Sequence, residues 1–214
     1  MEVIEPGGDV SGAVLVIHSW WGLTGSFRHY GQSLARAGYL VGLTDLFGGR
    51  TADTESEARR LRAQPRRIPM YRTLENDIRT LREAAGGRRP LGVVGFSMGG
   101  HWAVWLSQRP EYEVSAAILY YAARAGDFSN CRAAILAHFA ETDPWVSGAG
   151  RARMERAILL AECRYRAHDY PGTSHWFAED ARADAYRPDA ADLALRRDVA
   201  HLGHYLGGAE TCEA

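Results

Sequence analysis

Lysine is absent from this 214-residue chain, since all 25 of its basic residues are arginine. Its absence excludes Schiff-base chemistry on a lysine side chain and a P-loop phosphate site, which needs a lysine against its phosphates. Cysteine is scarce as well. The three cysteines are widely spaced and odd in number, which argues against a disulfide framework or a Cys-x-x-Cys metal site. We therefore predict free thiols at Cys131, Cys163 and Cys212.

Long apolar runs and excess charge are lacking too. No apolar run approaches the roughly 18 residues needed to span a bilayer, and a formal net charge of -1 leaves no basic footprint for nucleic acid. Residues 1–8 lack the basic start and the apolar stretch of a signal peptide. These absences predict a cytoplasmic protein without membrane or nucleic-acid partners, and they leave its oligomeric state open.

The chain has the composition of one folded unit. A hydrophobic content of 46% in 214 residues is enough to bury one sizeable core. No repeat or low-complexity linker divides the sequence. We predict a single domain over residues 1–214, with a disordered tail after about residue 207.

Strand-like and helix-like runs alternate, which is typical of a mostly parallel sheet covered by helices on both faces. The predicted strands are residues 13–18, 39–44, 91–95, 116–121, 133–139 and 164–168. The predicted helices are residues 26–37, 70–85, 99–108, 150–161 and 190–206.

The segment from Leu91 to Gly100 reads L-G-V-V-G-F-S-M-G-G and contains the pattern G-x-S-x-G after an apolar run. In a strand-turn-helix context this pattern exposes the serine hydroxyl at a sharp turn, while the two glycines avoid clashes across it. An ordinary glycine-rich turn is the alternative. The preceding strand and the following helix favour the catalytic interpretation, so we predict that Ser97 is a nucleophile.

A serine nucleophile needs a general base, and the base needs an acid that orients it. Catalytic groups gather at the carboxyl ends of strands in open α/β sheets. His175 follows one predicted strand in D-Y-P-G-T-S-H-W-F and is the predicted base; Asp143 follows another in A-E-T-D-P-W-V and is the predicted acid. A turn-forming aspartate before proline is the alternative at position 143. The competing acids are Glu141, Asp127 and Asp169.

The oxyanion formed in acyl transfer needs two backbone N–H donors. We predict one at Met98, directly after the nucleophile, and the other at Trp20 in the loop H-S-W-W-G-L.

The chain resembles the dienelactone hydrolase family from about residue 13 to 205. The segments that carry the resemblance are H-S-W-W-G-L, D-L-F-G-G, G-F-S-M-G-G, E-T-D-P-W-V and Y-P-G-T-S-H-W-F. The resemblance implies an α/β-hydrolase fold without a large lid domain. It places the family's nucleophile, acid, base and oxyanion donors on the same five residues.

Three positions depart from the pattern of that family. Members that open dienelactones typically use a cysteine nucleophile and a glutamate in the first loop, where this chain has Ser97 and Ser19. A serine can rely on His175 as its base, so these two changes are mutually consistent. The family's arginine for the substrate carboxylate corresponds to Glu179, which would repel an anionic lactone. We therefore expect a substrate other than dienelactone.

Tryptophans adjoin the site motifs, and aromatic walls suit an apolar or aromatic acyl or alcohol group. Core packing is the alternative, which we favour for Trp102 and Trp105.

Residues 50–89 hold eleven Arg against six Asp or Glu. A solvated helical face is the simplest explanation of this excess, and steering of an anionic substrate is the alternative. The candidate substrate-binding residues are Ser19, Trp21, Arg50, Trp145 and Trp176.

A metal site has only one weak motif in its favour, His201-x-x-His204 on the last predicted helix. Without other clustered ligands, a helix-surface or packing role is favoured for this pair.

We predict a serine hydrolase of carboxylesterase or lactonase type, acting on a small ester or lactone, with no metal and no organic cofactor. The alternatives are a non-catalytic binder of small molecules on the same fold, and an acyltransferase or thioesterase with the same triad.

Overall fold

The computed structural model describes residues 1–63, 67–87 and 89–207. The tail that was predicted to be disordered, and Cys212 within it, lie outside these residues. The strands are β1 (Glu2–Ile4), β2 (Gly12–Ile17), β3 (Tyr39–Thr44), β4 (Leu91–Phe96), β5 (Val114–Tyr120), β6 (Ala134–Thr142) and β7 (Tyr165–Ser174). The helices are α1 (Gly25–Arg36), α2 (Glu55–Ala63), α3 (Arg67–Ala84), α4 (Met98–Ser107), α5 (Gly148–Leu160) and α6 (Pro188–Leu206), with a 3-10 turn at Pro110–Tyr112.

The seven strands form one sheet in the order β1-β3-β2-β4-β5-β6-β7. All neighbours are parallel except β1, which runs antiparallel to β3. Every residue of β2, β3 and β4 is buried. Strands that are covered on both faces read as continuous apolar runs, which is why these three were recognisable in the sequence. The predicted mostly parallel sheet is confirmed.

Helices cover both faces of the sheet. A Cβ on Gly31 of α1 would lie 2.8 Å from the Leu43 side chain, whereas one on Gly42 would lie 3.3 Å from the side chain of Leu81 in α3. Successive residues of a strand point to opposite faces. Because Leu43 and Gly42 are successive residues of β3, α1 and α3 pack on opposite faces.

Two side-chain contacts assign α4 and α6 to these faces. The Tyr30 hydroxyl of α1 donates to Asp198 of α6 over 2.9 Å. On the other face, the ring of Tyr71 in α3 packs edge-on against Trp102 of α4, with 4.9 Å between centroids. Thus α1 and α6 share one face, and α3 and α4 share the other. None of the helices in the described ranges is both long and apolar enough to cross a membrane.

The structure differs from the sequence-based prediction mainly at element ends. It contains β1 and α2, which were not predicted, and it extends β6 to Thr142 and β7 to Ser174. The end of β7 includes Pro171 and Gly172, residue types that favour turns, and Gly172 has a φ of 70°. Thr142 and Ser174 are register partners. Asp143 and His175, the residues that follow them, therefore leave the sheet side by side.

Candidate active site

Ser97 lies in the turn between β4 and α4, at the carboxyl edge of the sheet. Its backbone has φ 52° and ψ -109°, a conformation that a non-glycine residue adopts only when its surroundings impose it. The Ser97 N–H donates to the Tyr120 carbonyl over 2.9 Å, which ties the turn to the neighbouring strand β5. These constraints fix the position of the serine side chain.

Close backbone contacts require both glycines of the G-x-S-x-G pattern. A Cβ on Gly95 would lie 2.2 Å from the Gly99 carbonyl oxygen, and one on Gly99 would lie 2.2 Å from the Ile17 carbonyl oxygen. Next to the pattern, a Cβ on Gly100 would lie 2.4 Å from Ala122 Cβ. Only glycine allows β2, β4 and α4 to approach this closely.

Ser97, His175 and Asp143 form one hydrogen-bonded row. The Ser97 Oγ lies 2.8 Å from His175 Nε2, and His175 Nδ1 lies 2.7 Å from Asp143 Oδ2. The side chains of His175 and Asp143 are only 4% and 7% exposed, so water competes weakly for their contact. The structure thus brings together the residues predicted as nucleophile, base and acid.

Backbone donors orient the Asp143 carboxylate. Its Oδ1 accepts hydrogen bonds from the N–H groups of Trp145 and Val146, over 2.8 and 3.0 Å. This leaves Oδ2 for His175. Asp143 therefore both stabilises the turn, which was the alternative considered for it, and contacts His175.

Each of the three competing acids has a different partner. Glu141 accepts from the Gly172 N–H over 3.0 Å, and Asp127 accepts from the Ser129 N–H over 2.9 Å. Asp169 is ion-paired with Arg151. Among the acids considered, Asp143 is the one in contact with His175.

The two predicted oxyanion donors line the same cavity as Ser97. Met98 is the first residue of α4, so its N–H has no acceptor within the helix. Trp20 lies in a turn after β2 that is closed by a 3.2 Å hydrogen bond from the Gly22 N–H to the Ser19 carbonyl. Gly22 has a φ of 88°, and a Cβ there would lie 2.4 Å from the Arg50 carbonyl oxygen. Glycine is therefore required in W-W-G as well.

A cavity of about 110 Å³ opens on Ser97. Its aromatic wall consists of Trp20, Tyr121, Trp145 and Trp176, and it also includes Arg62, His101 and Val146. The ring centroid of Trp20 lies 4.8 Å from that of Trp145 and 5.8 Å from that of Trp176. The site is therefore narrow and mostly aromatic.

Three of the five candidate substrate-binding residues do not line this cavity. Ser19 is fully buried and Trp21 is 1% exposed, so both belong to the core behind the wall. The Arg50 guanidinium donates to the Phe47 carbonyl over 3.1 Å and lies outside the cavity lining. Of the five candidates, Trp145 and Trp176 remain in contact with the cavity.

Tyr121 is the wall residue that the sequence analysis missed most clearly. It follows the last residue of β5, has a φ of 38°, and packs its ring 4.8 Å from the ring of His175. The register partner of Tyr120 is Phe96, so Tyr121 lies beside Ser97. Its position at a strand's carboxyl end was a usable signal, but the pairing of β4 with β5 was needed to interpret it.

Glu179 lies behind the wall and not in the cavity lining. It is 1% exposed and accepts hydrogen bonds from the hydroxyls of Ser19 and Tyr121, each over 2.8 Å. Burial raises the pKa of Glu179 to about 7. Its carboxyl group connects the loop after β2 to Tyr121 and does not contact a substrate in the cavity.

The residues considered for metal binding have other contacts. His201 Nε2 lies 3.1 Å from the Ala134 carbonyl, as expected for packing of α6 on the sheet. Within the part of the chain that the structure describes, no group of three or more His, Cys, Asp or Glu residues is placed to hold a metal ion. Cys131 and Cys163 are free thiols.

Comparison with solved structures assigns the fold to the α/β-hydrolases. A dienelactone-hydrolase-like promiscuous phosphotriesterase from metagenomic libraries matches with a TM-score of 0.82 at 13% identity, over 94% of this chain and 89% of that one. A thermophilic esterase from the Planctomycetes species Thermogutta terrifontis matches with a TM-score of 0.69 at 15% identity, over 97% and 90%. The predicted fold class is confirmed.

The sequence comparisons narrow this class to one family. The family model of the dienelactone hydrolases matches residues 3–206, and the chain belongs to that family. A relative from Bradyrhizobium sp, named "Probable 2-oxo-3-(5-oxofuran-2-ylidene)propanoate lactonase", is 27% identical over 93% of this chain and 86% of that protein. The chain is accordingly an enzyme that hydrolyses ester bonds, and the predicted family and enzyme class are confirmed.

Proposed function

We propose that this enzyme is a serine hydrolase that cleaves a small ester or lactone through an acyl-enzyme, with Ser97, His175 and Asp143 as its triad. The observation that carries the proposal is the row of two hydrogen bonds, 2.8 and 2.7 Å long, that ends at a cavity. Nucleophile, base and orienting acid are in contact at once, which is the arrangement that serine-based acyl transfer needs.

In the proposed reaction, Ser97 Oγ attacks the carbonyl carbon while its proton passes to His175 Nε2. Asp143 stabilises the imidazolium, and the N–H groups of Met98 and Trp20 stabilise the oxyanion. His175 then protonates the leaving alcohol, or the ring oxygen of a lactone, as the C–O bond breaks. Water, deprotonated by His175, attacks the acyl-enzyme and releases the acid, which restores Ser97.

The size of the cavity limits the substrate. Ligand pockets commonly measure about 300–1,000 Å³, so a cavity of about 110 Å³ favours a short acyl group or a small lactone. The three tryptophans of its wall offer apolar surface and ring faces to that group.

A lactone that carries a carboxylate is a second candidate substrate class. Arg62 lines the cavity, and the Arg59 guanidinium, which is ion-paired with Glu55 over 3.2 Å, lies 5.4 and 5.2 Å from the ring centroids of Trp20 and Trp145. Positive charge at the mouth favours an anionic substrate, and the Bradyrhizobium relative is named as a lactonase for a propanoate. The repulsion expected from Glu179 is weakened because its carboxyl group is behind the wall with a raised pKa.

Labelling with a fluorophosphonate tests the triad. We expect one adduct per chain, located on Ser97 by peptide mapping, and turnover of at least one member of a panel of short esters and lactones. Ser97→Ala should retain the fold but lose the label and at least about 10⁴-fold in turnover. Ser107→Ala is the matched control, because the Ser107 hydroxyl lies on the same helix and donates to the Val104 carbonyl; its labelling should be unchanged.

Other outcomes separate the alternatives. Unchanged ester hydrolysis by Ser97→Ala would exclude this nucleophile, and a folded chain that binds ligand without labelling would be a binding protein. Product analysis with competing alcohols and thiols distinguishes hydrolysis from acyl transfer. Within the panel, a higher kcat/KM for carboxylate-bearing lactones than for matched neutral ones would select the second substrate class.

A further inference from the structure

A cavity of about 540 Å³ lies between the edge strand β7 and helix α6. It includes Ala134 and Tyr165, the first residues of β6 and β7, whereas Asp143 and His175 follow the last residues of those strands. The cavity is therefore at the amino-terminal end of the sheet, opposite the proposed active site. No step of the proposed reaction uses it.

The periods of the two elements place six arginine and histidine side chains around this cavity. Arg166 and His168 alternate along the start of β7, and Arg164, the residue before the strand, continues the alternation, so all three point to one face. Arg197, His201 and His204 follow the spacing of one helix face on α6. All six line the cavity. The three arginines thus bring positive charge to the cavity from both elements.

These positive charges lack carboxylate partners at short range. Within the described ranges, Arg164 and Arg166 form no ion pair, and no Asp or Glu lines the cavity. The nearby acids are engaged elsewhere: Asp169 with Arg151 and Asp198 with His138. Burial lowers the pKa of His168, and the neighbouring Arg197 lowers it further.

We propose that this cavity binds a small, multiply charged anion of the phosphate class. Arginine forks match phosphate oxygens, and a tetrahedral group accepts hydrogen bonds from arginines on different sides at once. Arg164 just before β7, Arg166 in β7 and Arg197 in α6 line the cavity from two sides. Its volume is large enough to hold a diphosphate or a phosphorylated organic molecule.

Calorimetric titration with inorganic pyrophosphate at about 0.15 M ionic strength tests the proposal. We expect saturable binding of one pyrophosphate per chain, and binding at least about tenfold weaker in Arg166→Gln, which loses charge-assisted hydrogen bonds. Arg153→Gln is the matched control: Arg153 is exposed on α5 and lies outside the cavity, and its loss removes the same net charge. Citrate, a polycarboxylate of similar charge, tests whether the cavity prefers a phosphate over a carboxylate ligand.

Each result decides for or against the site. Binding that is lost in Arg166→Gln, kept in Arg153→Gln and weaker for citrate supports a phosphate site here. No saturable binding at millimolar pyrophosphate, equal weakening in both variants, or tighter binding of citrate would overturn the proposal. Arg166 is exposed, so its variant should fold, which circular dichroism can verify before titration.

Discussion

Glu179 holds its carboxyl group in a fully buried position, where burial raises its pKa from 4.5 to about 7. The folded state therefore binds this proton more tightly than the unfolded state does. By linkage, the contribution of Glu179 to stability is largest below about pH 4.5 and declines as the pH rises toward 7. The hydroxyls of Ser19 and Tyr121 that contact it can donate or accept, so an amide can replace the acid.

Glu179→Gln should remove this decline in stability. Between about pH 4 and about pH 8 the variant should gain on the order of 3 kcal/mol relative to wild type, because the amide carries no charge to bury. Urea unfolding at a series of pH values measures the difference. Glu141→Gln, at an exposed position, is the control and should follow the wild type. Parallel curves for Glu179→Gln and wild type would contradict the prediction.

The individual site residues were predictable to different degrees. Ser97, Asp143 and His175 could be predicted because each follows a recognisable strand and belongs to a motif that acyl-transfer chemistry explains. Tyr121 and the buried position of Glu179 were not, since their contacts depend on which strands are neighbours. Side-chain chemistry alone could not tell whether Ser19 and Trp21 face the cavity or the core.

At the scale of elements, the turn between β4 and α4 is the most tightly packed part of the site. A Cβ on Gly95 would overlap the backbone of Gly99 at 2.2 Å, and backbone cannot move aside as a flexible side chain can. Gly95→Ala should therefore cost about 3 kcal/mol or more in unfolding free energy and abolish turnover.

The matched control for Gly95→Ala is Gly148→Ala. Gly148 begins α5, and a Cβ there would meet nothing within 4 Å. Its replacement should be neutral or stabilise by up to about 1 kcal/mol. Thermal and urea unfolding of both variants measure the effect. A Gly95→Ala protein as stable and active as Gly148→Ala would show that the turn tolerates a side chain.

The elements that the sequence did not reveal were short or irregular. β1 has three residues, too few for a period to be detected, and α2 is a polar helix within the arginine-rich stretch. The end of β7 contains D-Y-P-G-T-S, which reads as a turn, yet it continues the strand with a shift of register opposite Ala140. Longer elements with apolar cores were identified within a few residues of their observed ends.

At the scale of the whole molecule, Asp198 connects elements that are distant in sequence. It is fully buried on α6 and accepts hydrogen bonds from the hydroxyls of Tyr30 in α1 and Tyr120 in β5. Its other oxygen lies 2.7 Å from His138 Nε2 in β6, and His138 Nδ1 lies 2.7 Å from the Tyr170 hydroxyl in β7. One acid thus stabilises the packing of two helices on three strands.

Asp198→Ala should destabilise the fold by about 3–5 kcal/mol, because it leaves buried polar partners without an acceptor. The exposed Asp192 lies on the same helix, and Asp192→Ala should change stability by less than about 0.5 kcal/mol. Denaturant unfolding followed by tryptophan fluorescence measures both. Equal stability of the two variants would refute a cross-linking role for Asp198.

The alternation of strands and helices was enough to predict a parallel sheet with two covered faces. It could not give the strand order β1-β3-β2-β4-β5-β6-β7 or the antiparallel edge strand, because those depend on long-range pairing. The cavity beside α6 was hidden for the same reason: Arg166 and Arg197 are far apart in sequence and meet only in the fold.

Ser97, Tyr121 and Trp176, three residues at the carboxyl edge of the sheet, have positive φ angles without being glycine. Each such conformation costs on the order of 1–3 kcal/mol, which the rest of the fold must offset. At Ser97, whose side chain is small, selection for heat resistance alone would therefore favour glycine and would remove the proposed nucleophile while improving the fold. Directed evolution of this enzyme needs an activity screen at every round, because the edge of the sheet that carries the proposed active site also carries this backbone strain.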